Sequence, residues 1–210
     1  MTGRIIETEA DILEGCDSLV RAEPRFAQAL ALTGPPPLRR RDGGFAALLR
    51  TICAQQLSVA AADSVWSRLC AAGADDPETL LGLAEDDLRA CGLSRPKIRY
   101  ARAIAGAAPD YAALGALPED EAIARLTALP GIGVWTAEIY LMFSIGRADV
   151  FAAGDLALQE SARLLFELPA RPDEQALRAR AVGWSPWRGV AARLLWAYYR
   201  VAKQREGVTE

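Results

Sequence analysis

The residues best suited to bind an anion form a short turn with two glycines, Leu129-Pro130-Gly131-Ile132-Gly133. Apolar residues at helical spacing precede and follow this turn, which predicts a helix on each side. Glycines two positions apart let the backbone turn tightly and approach another molecule. The free N–H groups that open the second helix point outward, and such amides bind phosphate without any lysine. An ordinary turn between two helices is the alternative, because G-x-G is a short and common motif.

The side chains that are missing exclude several kinds of catalysis. The chain has no histidine, which removes histidine acid–base catalysis, Ser-His and Cys-His nucleophile pairs, and zinc sites built on imidazole. Its four cysteines lie too far apart in sequence for the usual zinc or iron–sulfur motifs, and they are interpreted as buried thiols: Cys16, Cys53, Cys70 and Cys91. Asp155 follows Gly154 at the start of a helical pattern, where an aspartate caps a helix well.

Several segments, in order along residues 45–199, resemble the helix-hairpin-helix DNA glycosylases. The turn at 129–133, continued by Trp135-Thr136-Ala137, is similar to the hairpin signature of that family. Residues 52–58 resemble its Gln-Gln-x-Ser loop, and residues 91–97 its Gly-Leu-Ser-x-x-Lys segment. Residues 150–155 match the segment that carries its catalytic aspartate. Residues 184–188 resemble a Trp-x-Pro-Trp-Arg segment of the alkyl-base branch, the 3-methyladenine DNA glycosylase II type.

The resemblance implies an enzyme of base excision repair that hydrolyses the N-glycosidic bond of alkylated bases such as 3-methyladenine and 7-methylguanine. Asp155 is then the catalytic residue, and helix capping remains the alternative or an additional role. A base alkylated on a ring nitrogen is cationic and leaves as a neutral molecule, so the reaction needs no general acid. One carboxylate can stabilise the oxocarbenium charge on the sugar and orient water, which suits a chain without histidine.

The resemblance also implies a pocket for the cationic base, because aromatic faces attract a desolvated cation. Core packing is the alternative for each aromatic residue of this set. Trp66 and Trp196 are interpreted as core or half-buried packing residues, and Trp184 is left open between the two roles. The aliphatic Ile139 stands where some relatives have an aromatic residue, which implies a wider pocket. The predicted pocket residues are Trp135, Ile139, Tyr140 and Trp187.

Double-stranded DNA is the implied partner, since the enzyme must rotate the damaged nucleotide out of the duplex. The loop 55–57 is the predicted wedge that fills the gap, with an ordinary connecting loop as the alternative. Arg95 and Lys97 are candidates for phosphate contacts or for a solvated basic turn. The predicted DNA-binding residues are Gly131, Gly133, Val134, Thr136, Gln55, Gln56, Leu57, Ser58, Arg95 and Lys97. No cofactor is expected, except a monovalent cation on the carbonyls of Thr127, Leu129 and Ile132, as in similar proteins.

The hairpin also predicts the subclass. Relatives that cut the DNA strand carry a lysine where this chain has Trp135, which implies a monofunctional glycosylase. No cysteine follows Cys91, which excludes the branch with a C-terminal iron–sulfur cluster. Two alternatives remain: a helix-hairpin-helix module that binds DNA without catalysis, and a glycosylase for oxidised or deaminated bases.

Helix signals occur throughout the chain, whereas alternating strand patterns are nearly absent, so the predicted fold is all-α. Ser58, Asp76-Pro77, Pro118 and Ser185-Pro186 mark predicted helix starts. The last helix is expected to run from Pro186 to Lys203 and to turn Arg193 toward solvent. The predicted architecture has two helical lobes, residues 43–146 and residues 1–42 with 147–210, with the helix-hairpin-helix motif in the first and the active-site cleft between them.

The composition is that of an ordinary globular protein. The chain has 210 residues, 51% of them hydrophobic, and 24 basic against 27 acidic side chains give a net charge of −3. A mildly acidic chain is not expected to coat nucleic acid non-specifically, although local backbone amides and a few cations can bind it. With no signal-like segment and no membrane-length apolar run, a cytoplasmic monomer with no membrane association is expected.

Overall fold

The fold is helical. The structure, a computed structural model, describes residues 3–206, apart from the side chains of residues 59 and 204–206. Within this range the regular structure is helical, with one isolated antiparallel bridge between Ile5 and Arg147, so the predicted all-α class is confirmed. A π-helical turn (Leu141–Ile145) and a 3₁₀ turn (Val182–Trp184) accompany the α-helices. These are α1 (Glu9–Ala22), α2 (Phe26–Thr33), α3 (Phe45–Ala54), α4 (Val59–Ala71), α5 (Pro77–Gly82), α6 (Glu85–Ala90), α7 (Arg95–Ala107), α8 (Tyr111–Ala116), α9 (Glu119–Thr127), α10 (Val134–Tyr140), α11 (Leu156–Leu165), α12 (Glu174–Ala181) and α13 (Arg188–Glu206).

Two compact units make up the described chain. One contains Gly3–Arg40 and the residues from Leu141 onward, and the other is Arg41–Tyr140. Each unit has its own apolar core. In the first unit, Val190 and Leu194 of α13 are fully buried, and in the second, Leu48 of α3 is fully buried. None of the helices within residues 3–206 combines the length and the apolar composition needed to span a lipid bilayer.

Three of the helix starts marked in the sequence, at Ser58, Asp76 and Pro118, are predicted correctly. The Ser58 hydroxyl accepts the amide of Ala61 at 3.3 Å, and the Asp76 carboxylate accepts the amide of Thr79 at 2.8 Å. Helix α9 begins directly after Pro118, with its acidic residues in the first turn. The side chains of Ser58 and Asp76 satisfy N–H groups that a helix leaves open at its start. Each capping residue lies three positions before the amide that it binds.

The start of helix α2 is not among the helix starts that the sequence marks. Its N-cap residue, Arg25, makes no side-chain capping bond. Phe26 and Ala29 face the core, and the helix ends at Gly34, whose φ is +67°. The N-terminus of α2 therefore lacks a capping side chain of the kind that marks the helix starts at Ser58 and Asp76.

The predicted start of the last helix is wrong by two residues. Helix α13 begins at Arg188, and Ser185 instead ends the preceding 3₁₀ turn. The hydroxyl of Ser185 donates to the Asp149 carboxylate at 2.8 Å, and Nε of Arg188 donates to it at 2.8 Å. Asp149, 39 residues before Arg188, thus supplies the acidic group at this helix start, and a local pattern could not indicate it.

Arg193 on α13 is also placed differently from the prediction, because it is buried rather than solvent-exposed. Its guanidinium donates to the carbonyl of Met142 at 2.8 Å and to that of Gly189 at 2.9 Å, and it lies 4.7 Å from the centre of the Phe143 ring. Burial lowers the pKa of Arg193 to about 10. The carbonyl acceptors and the aromatic face explain why this charge is tolerated inside the unit.

Candidate active site and nucleic-acid interface

The Asp155 carboxylate is held by three N–H donors. Its Oδ1 atom accepts the amides of Ala157 at 2.9 Å and Leu158 at 3.0 Å, which makes Asp155 the N-cap of α11. The third donor is the indole Nε1 of Trp196 on α13, at 3.1 Å. The capping role is therefore confirmed, and the catalytic role stays a prediction. Three donors on one oxygen fix the orientation of a half-buried carboxylate.

The segment before Asp155 is buried and hydrogen-bonded. Ala152 and Ala153 are fully buried, and the amide of Asp155 donates to the carbonyl of Ala152 at 3.0 Å. The side chain of Gln159, one turn into α11, donates to the carbonyl of Ala153 at 3.0 Å. The backbone that presents Asp155 is thus tied to the helix that follows it.

Trp196 is the residue of this site that the sequence interpretation missed. It is half-buried, and its ring lies against Phe143, with 5.9 Å between the ring centres. Packing was predicted for it, but its hydrogen bond to Asp155 was not. The available signal was chemical rather than positional, since a tryptophan that is partly buried needs a partner for its N–H.

The hairpin between α9 and α10 has the tight turn that the glycines predict. Gly131 has a φ of +84°, and a Cβ there would run into the ring of Tyr100, so this position requires glycine. The carbonyl of Leu129 accepts the amide of Ile132 at 3.1 Å. The start of α10 is open to solvent, with Val134 48% and Trp135 41% exposed.

Thr136 and the two remaining pocket candidates of this unit are buried. The Tyr140 hydroxyl accepts the amide of Gly44 at 2.9 Å, just before α3, and burial raises the pKa of this tyrosine. Ile139 and Thr136 are 8% and 4% exposed. All three thus contribute to the core of their unit, and their contacts with a base or with DNA stay predictions.

The loop between α3 and α4 joins several of the predicted DNA-binding residues. The Gln55 side chain donates to the carbonyl of Gly131 in the hairpin at 3.1 Å. Gln56 adopts a φ of +58° and is exposed, and the neighbouring Leu57 is 41% exposed. Ser58 then caps α4. The structure therefore brings this loop and the glycine hairpin together, which their separation in sequence did not reveal.

The two basic candidates on α7 differ in their surroundings. Arg95 is exposed, with its Nε 3.7 Å from a carboxylate oxygen of Glu85. Lys97 is half-buried, and its Nζ donates to the carbonyls of Cys53 and Gln55, at 2.8 Å each. Phosphate contacts of either residue stay predictions.

The tryptophans of residues 184–188 lie in the core of their unit. Trp187 is 3% exposed, and the guanidinium of Arg4 lies 4.4 Å from its ring centre. Trp184 packs between Phe26 and Phe166. Both tryptophans thus pack in the core, and a contact between Trp187 and a base stays a prediction.

The four cysteines are free thiols, and three of them are buried as predicted. Burial raises the pKa of Cys16 to about 11 and that of Cys53 to about 12. The prediction is wrong for Cys70, which is exposed near the end of α4 because it lies on the solvent side of that helix. Within residues 3–206, no three Cys, Asp or Glu side chains cluster as metal ligands would.

Comparison with known proteins agrees with the fold and the motifs. Residues 49–186 match the HhH-GPD superfamily base excision DNA repair protein family. The DNA-3-methyladenine glycosylase 1 of Schizosaccharomyces pombe is 33% identical over 164 residues, covering 74% of this chain and 72% of that protein. The Mycobacterium tuberculosis protein named probable bifunctional transcriptional activator/DNA repair enzyme AlkA is 30% identical over 211 residues, covering 92% of this chain and 41% of its own length.

Solved structures extend the similarity over nearly the whole chain. The S. pombe 3-methyladenine DNA glycosylase in complex with abasic DNA is 30% identical, with a TM-score of 0.78, covering 87% of this chain and 95% of that one. The DNA-3-methyladenine glycosidase of Bacillus halodurans is 28% identical, with a TM-score of 0.82 and coverage of 97% and 95%. The matched segment includes the hairpin, the loop 55–57 and Asp155. The chain therefore belongs to the HhH-GPD superfamily of base excision DNA repair proteins.

Proposed function

We propose that this chain is a monofunctional DNA glycosylase that hydrolyses the N-glycosidic bond of alkylated bases, including 3-methyladenine and 7-methylguanine. The observation that carries the proposal is the oriented carboxylate of Asp155, with three N–H groups on one oxygen, in a member of a base excision repair family. Relatives named as 3-methyladenine DNA glycosylases support the substrate class.

The proposed chemistry needs little more than this carboxylate. The alkylated base carries a positive charge and leaves as a neutral molecule, while positive charge develops on the sugar. Asp155 stabilises that charge and orients the attacking water. The three donors hold Oδ1 in place before the reaction, so the carboxylate does not have to reorganise as the charge develops.

Double-stranded DNA is the proposed partner, bound by a monomer. The exposed start of α10 offers backbone N–H groups to a phosphate, and the exposed residues Gln56 and Leu57 are the proposed wedge. The related S. pombe glycosylase was solved in complex with abasic DNA, which supports this choice of ligand. The exposed indole of Trp135 is proposed to meet the cationic base.

A monovalent cation at the hairpin is an accessory to this proposal. The carbonyl of Leu129 already accepts the amide of Ile132, and a carbonyl oxygen has a second lone pair for a cation. The carbonyls of Thr127 and Ile132 would complete the set of oxygen ligands. Such a cation would add positive charge beside the backbone amides that face a phosphate.

The experiment that tests the proposal measures bases released from a methylated duplex by chromatography, for the wild type and for Asp155→Asn. Asparagine caps a helix about as well as aspartate, so α11 should remain folded. We expect Asp155→Asn to release bases about 100-fold more slowly or worse, because the negative charge is lost. Binding to an abasic-site duplex should be retained.

A matched control is available in Asp173→Asn. Asp173 caps α12 through the amide of Ala176 at 2.8 Å, in the same way that Asp155 caps α11. This variant should release bases at the wild-type rate. A wild-type protein that binds the duplex but releases no base would favour a non-catalytic module. Release of only oxidised or deaminated bases from a substrate panel would favour the other glycosylase class.

A further inference from the structure

The ammonium group of Lys97 holds the loop at residues 55–57 through two backbone carbonyls. Nζ of Lys97 donates to the carbonyls of Cys53 and Gln55, at 2.8 Å each. These carbonyls lie at the end of α3, where a helix leaves its last C=O groups without intrahelical partners. Lys97 is half-buried, and burial lowers its pKa, as expected for a lysine that faces backbone rather than water.

The side chain of Gln55 connects the same loop to the hairpin. Its side-chain amide donates to the carbonyl of Gly131 at 3.1 Å, so the loop and the hairpin are connected directly. Residue 55 is thus held at its side chain by the hairpin and at its carbonyl by Lys97. Both anchors lie within the unit Arg41–Tyr140.

The residue that these anchors support has an unfavourable backbone conformation. Gln56 has a φ of +58°, in the left-handed region that residues other than glycine seldom adopt. It is exposed, and so is the apolar Leu57 beside it. A conformation of this kind persists only where its surroundings hold it. Here Lys97 and the Gln55 side chain hold the residues before Gln56, and the amide of Leu57 donates to the carbonyl of Ala54 at 3.2 Å.

We propose that Lys97 is a positioning residue that keeps the loop 55–57 in the shape that enters DNA, and that it does not bind phosphate. The inference rests on the proposed function for the identity of the ligand. Two of the three donors of the ammonium are committed to carbonyls, and α7 carries a more exposed cation, Arg95, two residues earlier. Lys97 therefore acts on DNA through the loop.

The test compares Lys97→Met with Arg95→Met on a duplex that contains an abasic-site analogue. The first measurement is the dependence of the dissociation constant on salt concentration. Loss of one phosphate contact lowers the slope of log K against log salt by about 0.9. We expect the slope of Lys97→Met to equal that of the wild type, and any reduction of the slope to appear in Arg95→Met.

The second measurement is nucleotide eversion, followed by the fluorescence of 2-aminopurine beside the lesion at saturating protein. We expect Lys97→Met to evert the nucleotide about tenfold more slowly, because a small misplacement of a positioned group is costly. A lower salt slope with normal eversion in Lys97→Met would overturn the proposal, and so would a variant unchanged in both measurements.

A second variant keeps the test decisive if Lys97→Met does not fold. Gln55→Leu removes the bond to the Gly131 carbonyl but leaves every cation in place, and we expect slow eversion with an unchanged salt slope. Normal eversion in Gln55→Leu would contradict an anchored loop. Neither measurement requires base release, so a failure of the proposed glycosylase activity would be seen separately, in the wild type.

Discussion

At Asp155, a single carboxylate oxygen accepts N–H groups from two helices, α11 and α13. The two α11 amides would be present for any capping residue. The indole of Trp196 is additional, and it lies 41 residues away in the chain. A donor supplied by a separate helix restricts the carboxylate in a direction that the cap alone leaves open. Trp196 is therefore a positioning residue for the proposed reaction.

Replacing Trp196 by Phe tests this role, since it removes the N–H and keeps an aromatic ring against Phe143. A hydrogen bond to a charged group contributes about 1.5–3 kcal/mol, so we expect the single-turnover rate of base release to fall about 10- to 100-fold. KM should change little. Trp66→Phe is the control, because Trp66 is also half-buried but lies on α4, in the other unit. Equal losses in both variants would contradict a specific role for Trp196.

At the scale of elements, the packing of α1 against α13 depends on one small residue. Gly15 is buried in α1, and a Cβ at this position would lie 2.7 Å from Cγ2 of Val190 and 2.9 Å from Cε3 of Trp187. Val190 lies in the first turn of α13, the helix that also carries Trp196, and Trp187 directly precedes that helix. The close approach of α1 thus supports the helix that orients Asp155.

Gly15→Ala should therefore destabilise the protein by about 1–3 kcal/mol, since the neighbours are core side chains that cannot move freely. Gly106→Ala is the matched control, because Gly106 also lies within a helix, α7, and a Cβ there meets nothing within 4 Å. We expect that change to be neutral or to stabilise by about 0.5–1 kcal/mol. Thermal unfolding of both variants measures the difference, and equal midpoints would contradict the packing argument.

Helix starts illustrate what can be predicted from a sequence. Starts of helices with a nearby capping side chain, such as Ser58 and Asp76, are predictable because cap and helix are adjacent in the chain. The start of α13 was misplaced because Asp149, which bonds Ser185 and Arg188, is remote in sequence. The contact of Trp196 with Asp155 was missed for the same reason.

For the candidate site, the residue types were predictable and several of their contacts were not. Asp155 and the glycine hairpin follow from motifs. The carbonyl contacts of Lys97 do not, because a lysine in a basic turn gives no indication that it will point toward the backbone of another helix. Burial of Arg193 was unexpected because one of its two carbonyl acceptors, that of Met142, lies in the π-helical turn, 51 residues earlier in the chain.

At the scale of the whole molecule, a chain with a net charge of −3 must bind a polyanion through local groups. The proposed interface accordingly uses backbone amides and a few cations rather than a broad basic surface. The chain contains two lysines, Lys97 and Lys203, and neither is in the hairpin. With Trp135 in that position, a Schiff base with the sugar has no amine there to form it.

The product of the whole enzyme should therefore be an intact strand with an abasic site. We expect no strand cleavage until alkali is added, and no covalent protein–DNA adduct when borohydride is present during the reaction. A bifunctional glycosylase treated in parallel on its own substrate confirms that the trapping works. A trapped band with this chain would show that one of its amines attacks the sugar, and would contradict the monofunctional subclass.

The exposed thiol of Cys70 on α4 has a practical consequence for fluorescence experiments. Cys16, Cys53 and Cys91 are enclosed by the protein, so a maleimide dye added to the native chain should attach at Cys70. Helix α4 starts at the end of the loop 55–57, and the dye would sit about three turns from it. The wild-type sequence thus provides its own attachment point for fluorescence experiments, with no engineered cysteine needed.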